Sequence, residues 1–268
     1  MLNNELHLFV LEGAGAEPQF VKKLEQNFFK RKISVKCVFD AEIYQLYKQL
    51  EKEDFAVDIV NVLKERNAHN AETLKEYNRE SFAGVYLFFD YDAHSTLADD
   101  DQISKMLAFF DNETENGYLY LSYPMVEAIR HFRDMDSFKD LVAKCKRGKS
   151  FNDMKCPNKS TCKDLHTCLK EDHYKNISAR EGNINKYTFE VWKTLIRANA
   201  FKLNYLVNDE YCMPDSFISQ KQIFEKQLSK HIIQPCPKVA VLSAFPLYVL
   251  DYYGIDRIKE QLNVSTTQ

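Results

Sequence analysis

Apolar and polar positions in the first half of the chain follow a strand-then-helix alternation. Two continuous apolar runs end just before Glu12 and just before Asp90, and two more cover Ile33–Phe39 and Tyr118–Ser122. Runs of this length, bounded by Gly and charged residues, are typical of buried parallel strands. Apolar residues between the runs recur at helical spacing, as they do after Pro18. The pattern therefore predicts an α/β fold, a parallel sheet with helices on both faces.

The alternation ends near residue 135, and the remaining chain is predicted to form two further parts. Residues 144–175 contain nine Lys or Arg against four Asp or Glu, and four of the chain's seven cysteines lie between 145 and 168. From Lys186 onward, periodic apolar residues predict three or four packed helices. We therefore expect a sheet domain at 1–135, a basic Cys/His-rich insertion at 136–183 and a helical domain at 184–268.

Composition indicates a globular protein and restricts its partners only weakly. The chain has 268 residues, 45% of them hydrophobic, and a formal net charge of −3. No apolar stretch approaches the ~18 residues of a membrane span, and the first strand begins without a basic leader. We expect a cytoplasmic protein without a membrane partner, in which the cysteines are reduced thiols or metal ligands.

Three carboxylates are the main candidates for chemistry. Glu12, Asp90 and Asp92 directly follow apolar runs, and ligands of open α/β sheets gather beyond the carboxyl ends of the strands. Asp90 and Asp92 share a face if the strand continues through them. Clustered carboxylates repel one another unless a cation neutralises them, and oxygen ligands suit Mg²⁺ or Mn²⁺. The sequence therefore predicts a hard-metal site at Glu12, Asp90 and Asp92.

Three further residues are candidates for supporting roles. Glu17 lies one loop beyond Glu12, where it either adds a ligand or is a solvated acid favoured by the helix dipole. Glu127 follows Pro124 by three residues, and either supplies a fourth carboxylate or only favours the start of a helix. His94 either orients a phosphate or water, or is a solvated loop histidine.

The set Glu12-Gly13, Glu17 and Asp90-x-Asp92 resembles the Toprim domain of bacterial primases, topoisomerases and overcoming-lysogenization-defect (OLD) nucleases. The resemblance covers about the first half of the chain. The Gly13 to Glu17 spacing is similar to OLD-type and phage-defence members, and the segment around Glu127 is similar to an Asn-Pro-x-x-Glu segment of defence nucleases, although Tyr123 replaces the Asn. The resemblance implies Mg²⁺- or Mn²⁺-dependent cleavage of nucleic acid, with Glu12 as metal ligand or general base and both aspartates as metal ligands.

Two other functional interpretations remain open. The segment FFDYDAH also resembles haloacid-dehalogenase phosphatases, in which the first Asp of Asp-x-Asp is a phosphorylated nucleophile and the second a general acid/base. Asp90 and Asp92 would take those roles, although Glu12-Gly13 would then have no explained function. Alternatively, the chain is a non-catalytic subunit that binds nucleic acid or a partner protein, with carboxylates that hold a structural ion or none.

The basic insertion contains two candidate binding features. Cys156, Cys162, His166 and Cys168 supply three sulfurs and one nitrogen, a donor set that suits tetrahedral Zn²⁺, although the spacing is irregular and free thiols are the alternative. A separate basic cluster is suited to phosphate contacts or is simply solvated. Its residues include Lys144, Lys146, Arg147 and Lys149.

The resemblance implies that the first part is a Toprim-like (Rossmann-like) domain and that the protein is a metal-dependent nuclease, an effector of antiviral defence. The expected substrate is DNA or RNA, including tRNA, because Toprim members process both kinds of nucleic acid. A regulatory ATPase subunit and a second copy of the chain are the protein partners that we consider.

Overall fold

The computed structural model describes residues 5–29, 33–39, 42–91, 97–144, 184–234 and 237–262. The chain divides into two compact units, whose described residues fall within 1–92 and 99–121 for the first and within 93–98 and 122–268 for the second. Within the described ranges, no helix has both the length and the apolar character needed to cross a membrane.

The first unit is an α/β structure built on a mostly parallel sheet, which confirms the expected class. A π-helical turn at Glu25–Phe29 and a 3-10 helix at Arg79–Ser81 interrupt the regular elements. In chain order, the strands and α-helices are β1 Glu5–Leu11, α1 Glu17–Leu24, β2 Ile33–Phe39, α2 Ile43–Lys52, α3 Ile59–Arg66, α4 Ala68–Thr73, β3 Gly84–Asp90, α5 Asp100–Phe109, β4 Asp111–Asn112 and β5 Gly117–Ser122.

The sheet has the strand order β2-β1-β3-β5-β4. Strand β1 pairs in parallel with β2 and β3, in a register that places Leu11 opposite Phe39 on one side and opposite Phe88 on the other. The two-residue strand β4 pairs antiparallel with β5, a hairpin that the sequence pattern did not predict. Leu8 to Leu11 are fully buried, as expected for the apolar run of a central strand.

The buried side chain of Asn70 forms hydrogen bonds with the last residue of edge strand β2. Asn70 is fully buried, accepts a hydrogen bond from the Phe39 N–H at 3.0 Å and donates to the Phe39 carbonyl at 2.7 Å. It also donates to the carbonyl of Leu63 at 3.1 Å. A side-chain amide has both donors and an acceptor, so Asn70 pairs with both main-chain groups of Phe39, whose carbonyl also accepts from the Asn67 side chain at 3.0 Å. The contact links α4 to the carboxyl end of β2.

The second unit combines helices with a two-stranded ribbon. Its 3-10 helices lie at Val126–Arg130 and Ile184–Lys186, and a π-helical turn covers Leu228–Ile232. The other elements are α6 Met135–Lys139, β6 Val142–Lys144, α7 Phe189–Asn208, α8 Gln220–Gln227, β7 Lys238–Ala240, α9 Ala244–Tyr253 and α10 Ile255–Gln261. The four α-helices α7 to α10 agree with the three or four expected after Lys186.

Buried amides fix the loops around this helical part. The Asn199 side chain accepts a hydrogen bond from the Ser243 N–H at 2.9 Å, where α9 begins. Gln227 is fully buried, donates to the Ala240 carbonyl and accepts from the Ala240 N–H, both at 2.8 Å. Each amide therefore replaces a main-chain partner at a place where regular structure stops.

Two details differ from the sequence-based expectations. No helix begins at Pro124, because Tyr123 still pairs with Leu242 through reciprocal main-chain hydrogen bonds of 2.8 and 3.1 Å, and the 3-10 helix starts only at Val126. Residues 136–144, the start of the expected insertion, include most of α6 and the whole of β6, and β6 pairs antiparallel with β7.

Candidate active site at the ends of β1 and β3

The strand order makes the carboxyl ends of β1 and β3 a distinctive place in the first unit. Strand β2 lies on one side of β1, and β3, the next strand in sequence, lies on the other. Where the connections after two neighbouring strands run toward opposite edges of the sheet, a crevice forms beyond the carboxyl ends of those strands. Ligands of open α/β sheets bind in such crevices. Glu12 directly follows β1, and Asp90 is the last residue of β3.

A hydrogen bond joins Glu12 to Asp90 across these two strand ends. The Glu12 N–H donates to the Phe88 carbonyl at 3.2 Å, which extends the parallel ladder by one step. The Asp90 N–H then donates to Oε2 of Glu12 at 2.8 Å. The carboxylate thereby takes the acceptor role that a main-chain carbonyl has in a continuing ladder. Both residues are half-buried. A hydrogen bond to a carboxylate is charge-assisted and therefore strong, so it fixes the Glu12 carboxylate beside the main chain of Asp90.

Glu17 lies next to the turn that follows Glu12. It is the first residue of α1 and is only 8% exposed, so its side chain is not the solvated acid considered above. A Cβ atom placed on Gly13 would lie 3.2 Å from Oε1 of Glu17. The absence of a side chain at Gly13 therefore lets the Glu17 carboxylate approach the turn closely.

Tyr91 provides a second anchor beside Asp90. Its ring is buried, and its hydroxyl donates to Oδ1 of Asp100 at 2.7 Å, at the first turn of α5. The chain at Asp90–Tyr91 is thus tied to β1 through Glu12 and to α5 through Asp100. Sequence reasoning did not identify this link; the only signal is a tyrosine next to Asp90, followed by acidic residues before an apolar helix.

Two of the remaining sequence-predicted residues are described by the structure, and both belong to the second unit. Glu127 is half-buried in the 3-10 helix Val126–Arg130 of the second unit. Lys144 ends strand β6 of the same unit. The others lie outside the described residues; they are Asp92, His94, Lys146, Arg147, Lys149, Cys156, Cys162, His166 and Cys168.

The donor set at the strand ends suits a hard divalent ion. Among the residues that the structure describes, no group of three or more His, Cys, Asp or Glu side chains is arranged to hold a metal. Glu12 and Asp90 nevertheless bring two carboxylates to adjacent strand ends, and Mg²⁺ is commonly held by one or two protein carboxylates together with water and substrate phosphates. The two residues therefore fit Mg²⁺ or Mn²⁺ by ligand type.

Comparison with known proteins gives no assignment. No protein-family model matches the chain, and neither the curated proteins nor the solved structures contain a significant match.

Proposed function

We propose that the first unit carries a divalent-metal-dependent nuclease site that hydrolyses phosphodiester bonds of DNA or RNA. The observation that carries this proposal is the hydrogen bond between Glu12 and the Asp90 main chain at the β1/β3 crevice. It fixes the Glu12 carboxylate against the main chain of a second acidic residue, at the sheet edge where α/β proteins bind ligands. The resemblance of Glu12-Gly13 and Asp90-x-Asp92 to Toprim nucleases supports the choice of substrate.

Glu12 and Asp90, together with Asp92, are the proposed ligands of Mg²⁺ or Mn²⁺. An ion held by these residues would lower the pKa of an attacking water and would stabilise negative charge on phosphate oxygens. Glu12 would bind the ion through its carboxylate. Because the Asp90 N–H donates to Oε2 of this carboxylate, its orientation is set before any ligand arrives. Glu17, held near the Gly13 turn, is the proposed outer-shell carboxylate.

The test uses substitutions that remove charge but keep shape. Glu12→Gln retains an oxygen that can accept from the Asp90 N–H, and Asp90→Asn leaves that N–H in place. Glu72→Gln removes an exposed carboxylate on α4 and is the matched control. Each protein is titrated with MgCl₂ and MnCl₂ by calorimetry, and is incubated with supercoiled plasmid and with total tRNA.

We expect metal binding and cleavage in the parent protein and in Glu72→Gln. In Glu12→Gln and Asp90→Asn we expect metal affinity to fall by at least about tenfold and cleavage to be lost, with unchanged circular dichroism. Metal-dependent cleavage that persists in both site variants would contradict the proposal. Metal binding without cleavage of either nucleic acid would instead support a non-catalytic subunit.

A further inference from the structure

A cleft in the second unit, separate from the strand ends of the first, is lined by an excess of basic side chains. It lies between α7, the π-helical turn after α8 and the ribbon β6/β7, and its volume is about 180 Å³. The basic and acidic residues that line it are Lys139, Asp140, Lys202, Asp209, Lys230 and His231. An engineered cavity of ~150 Å³ already admits benzene. The cleft therefore has room for a small molecule of similar size.

Lys202 forms the buried part of the cleft. The residue is 1% exposed, and its Nζ donates to the main-chain carbonyls of Phe138, at 2.8 Å, and of Leu141. Nζ also lies 4.5 Å from the centre of the Phe138 ring. The ammonium group of Lys202 therefore contacts two neutral hydrogen-bond acceptors and one aromatic face. Among the described side chains, no carboxylate forms an ion pair with Lys202.

The two aspartates of the cleft do not balance its basic groups. Oδ1 of Asp209 is 2.6 Å from Nζ of Lys230, so this carboxylate is already paired. Asp140 is exposed, and its effect on Lys202 is a longer-range attraction. Lys139 and Lys202 therefore remain without a directly paired carboxylate in the described chain. A buried cation is costly unless a counter-charge accompanies it.

We propose that this cleft binds a small oxyanion, a phosphate or carboxylate group, which pairs with Lys202 and is contacted at the rim by Lys230 and His231. The ligand would supply the negative charge that the described residues do not supply at Lys202. Charge-assisted hydrogen bonds from ammonium groups to such oxygens are about twice as strong as neutral ones. The site is independent of the proposed nuclease centre.

The pKa shifts in the cleft arise first from burial. Burial lowers the pKa of Lys202 well below its ordinary value, and only Asp140 opposes this shift. Burial also lowers the pKa of His231, and the positive charges of Lys202, Lys230 and Lys238 lower it further. An anion bound among these groups would favour their protonated forms.

The test measures anion binding to the full-length protein after passage over a chelating resin, which removes divalent ions without adding a soluble carboxylate. Inorganic phosphate and sodium acetate are titrated separately by calorimetry, with sodium chloride as the reference salt. Lys202→Met removes the buried charge, and Lys230→Met removes one at the rim. Lys193→Met is the matched control, because Lys193 lies on the same helix α7 and pairs with Glu190 at 2.9 Å, outside the cleft.

We expect saturable binding of one anion, weakened at least about tenfold in Lys202→Met and several-fold in Lys230→Met, and unchanged in Lys193→Met. Tighter binding of phosphate than of acetate identifies a phosphate ligand, and the reverse order identifies a carboxylate. Because Lys202→Met also loses two hydrogen bonds, Lys230→Met provides the test if the first variant does not fold. No saturable binding at millimolar concentration, or equal affinity in Lys230→Met and Lys193→Met, would overturn the proposal.

Discussion

Acidification should destabilise the second unit through the buried histidine His131. This residue is 1% exposed and lies at the end of the 3-10 helix Val126–Arg130. Burial, followed by the positive charge of Arg130, lowers its pKa from 6.5 to about 4. The folded protein therefore keeps His131 neutral at a pH where the unfolded chain already binds a proton.

The sign and size of the effect follow from linkage between protonation and folding. Between pH 6.5 and about 4 the unfolded state binds more protons at this position than the folded state, so the free energy of unfolding falls as the pH falls. Below about pH 4 both states are protonated and the histidine causes no further loss. A shift of roughly 2.5 pKa units, at about 1.36 kcal/mol per unit, amounts to about 3 kcal/mol.

The measurement is urea unfolding at pH 7 and pH 4, followed by the fluorescence of Trp192. This residue is the chain's single tryptophan and is fully buried in the same unit as His131. His131→Gln cannot take up the proton, so its loss of stability between the two pH values should be smaller than that of the parent by about 3 kcal/mol. His69→Gln changes an exposed histidine and should behave like the parent. Equal losses in the parent and in His131→Gln would refute the reasoning.

Two further predictions concern the first unit, and thermal or urea unfolding checks both. Asn70→Ala should lower the free energy of unfolding by about 1–3 kcal/mol, because it removes the acceptor of the Phe39 N–H and the Asn70 donor to the Leu63 carbonyl, while the Phe39 carbonyl keeps its hydrogen bond from Asn67; a change below about 0.5 kcal/mol would contradict this role. Asp54 follows α2 with a φ of 51°, so Asp54→Gly should be neutral or stabilising while Asp54→Val costs about 1–2 kcal/mol. The opposite order would show that backbone strain does not control this position.

The four longer strands of the first unit, β1, β2, β3 and β5, could be predicted because their signal is local. A central strand such as β1 must be apolar on both faces, and Leu8 to Leu11 show this as a continuous run. Helices α1, α2 and α5 follow from periodicity in the same way. The neighbouring positions of Glu12 and Asp90 follow from one additional rule, that parallel strands end at the same edge of a sheet.

Contacts between residues that lie far apart in the chain leave no comparable signal in the sequence. Strand β6 at Val142–Lys144 pairs with β7 at Lys238–Ala240, and neither three-residue segment reveals a partner so far along the chain. Gln227 and Asn70 are ordinary polar residues of helical segments by sequence, although the structure buries both as substitutes for main-chain partners. By sequence, Lys202 is one polar position in an amphipathic helix, and only the structure shows that it lines a cleft.

By itself, the sequence determined the α/β class, the main strands and the carboxylates that end two of them. Burial of an apolar run depends on the residues within that run, so these features can be read locally. Only the tertiary structure decided that the Glu12 carboxylate accepts the Asp90 N–H, that Tyr91 is tied to Asp100 and that Lys202 is buried beside neutral acceptors. Each of these contacts depends on which segments the chain brings together, and the free energy that selects such pairings comes from the packing of the whole unit rather than from any one segment.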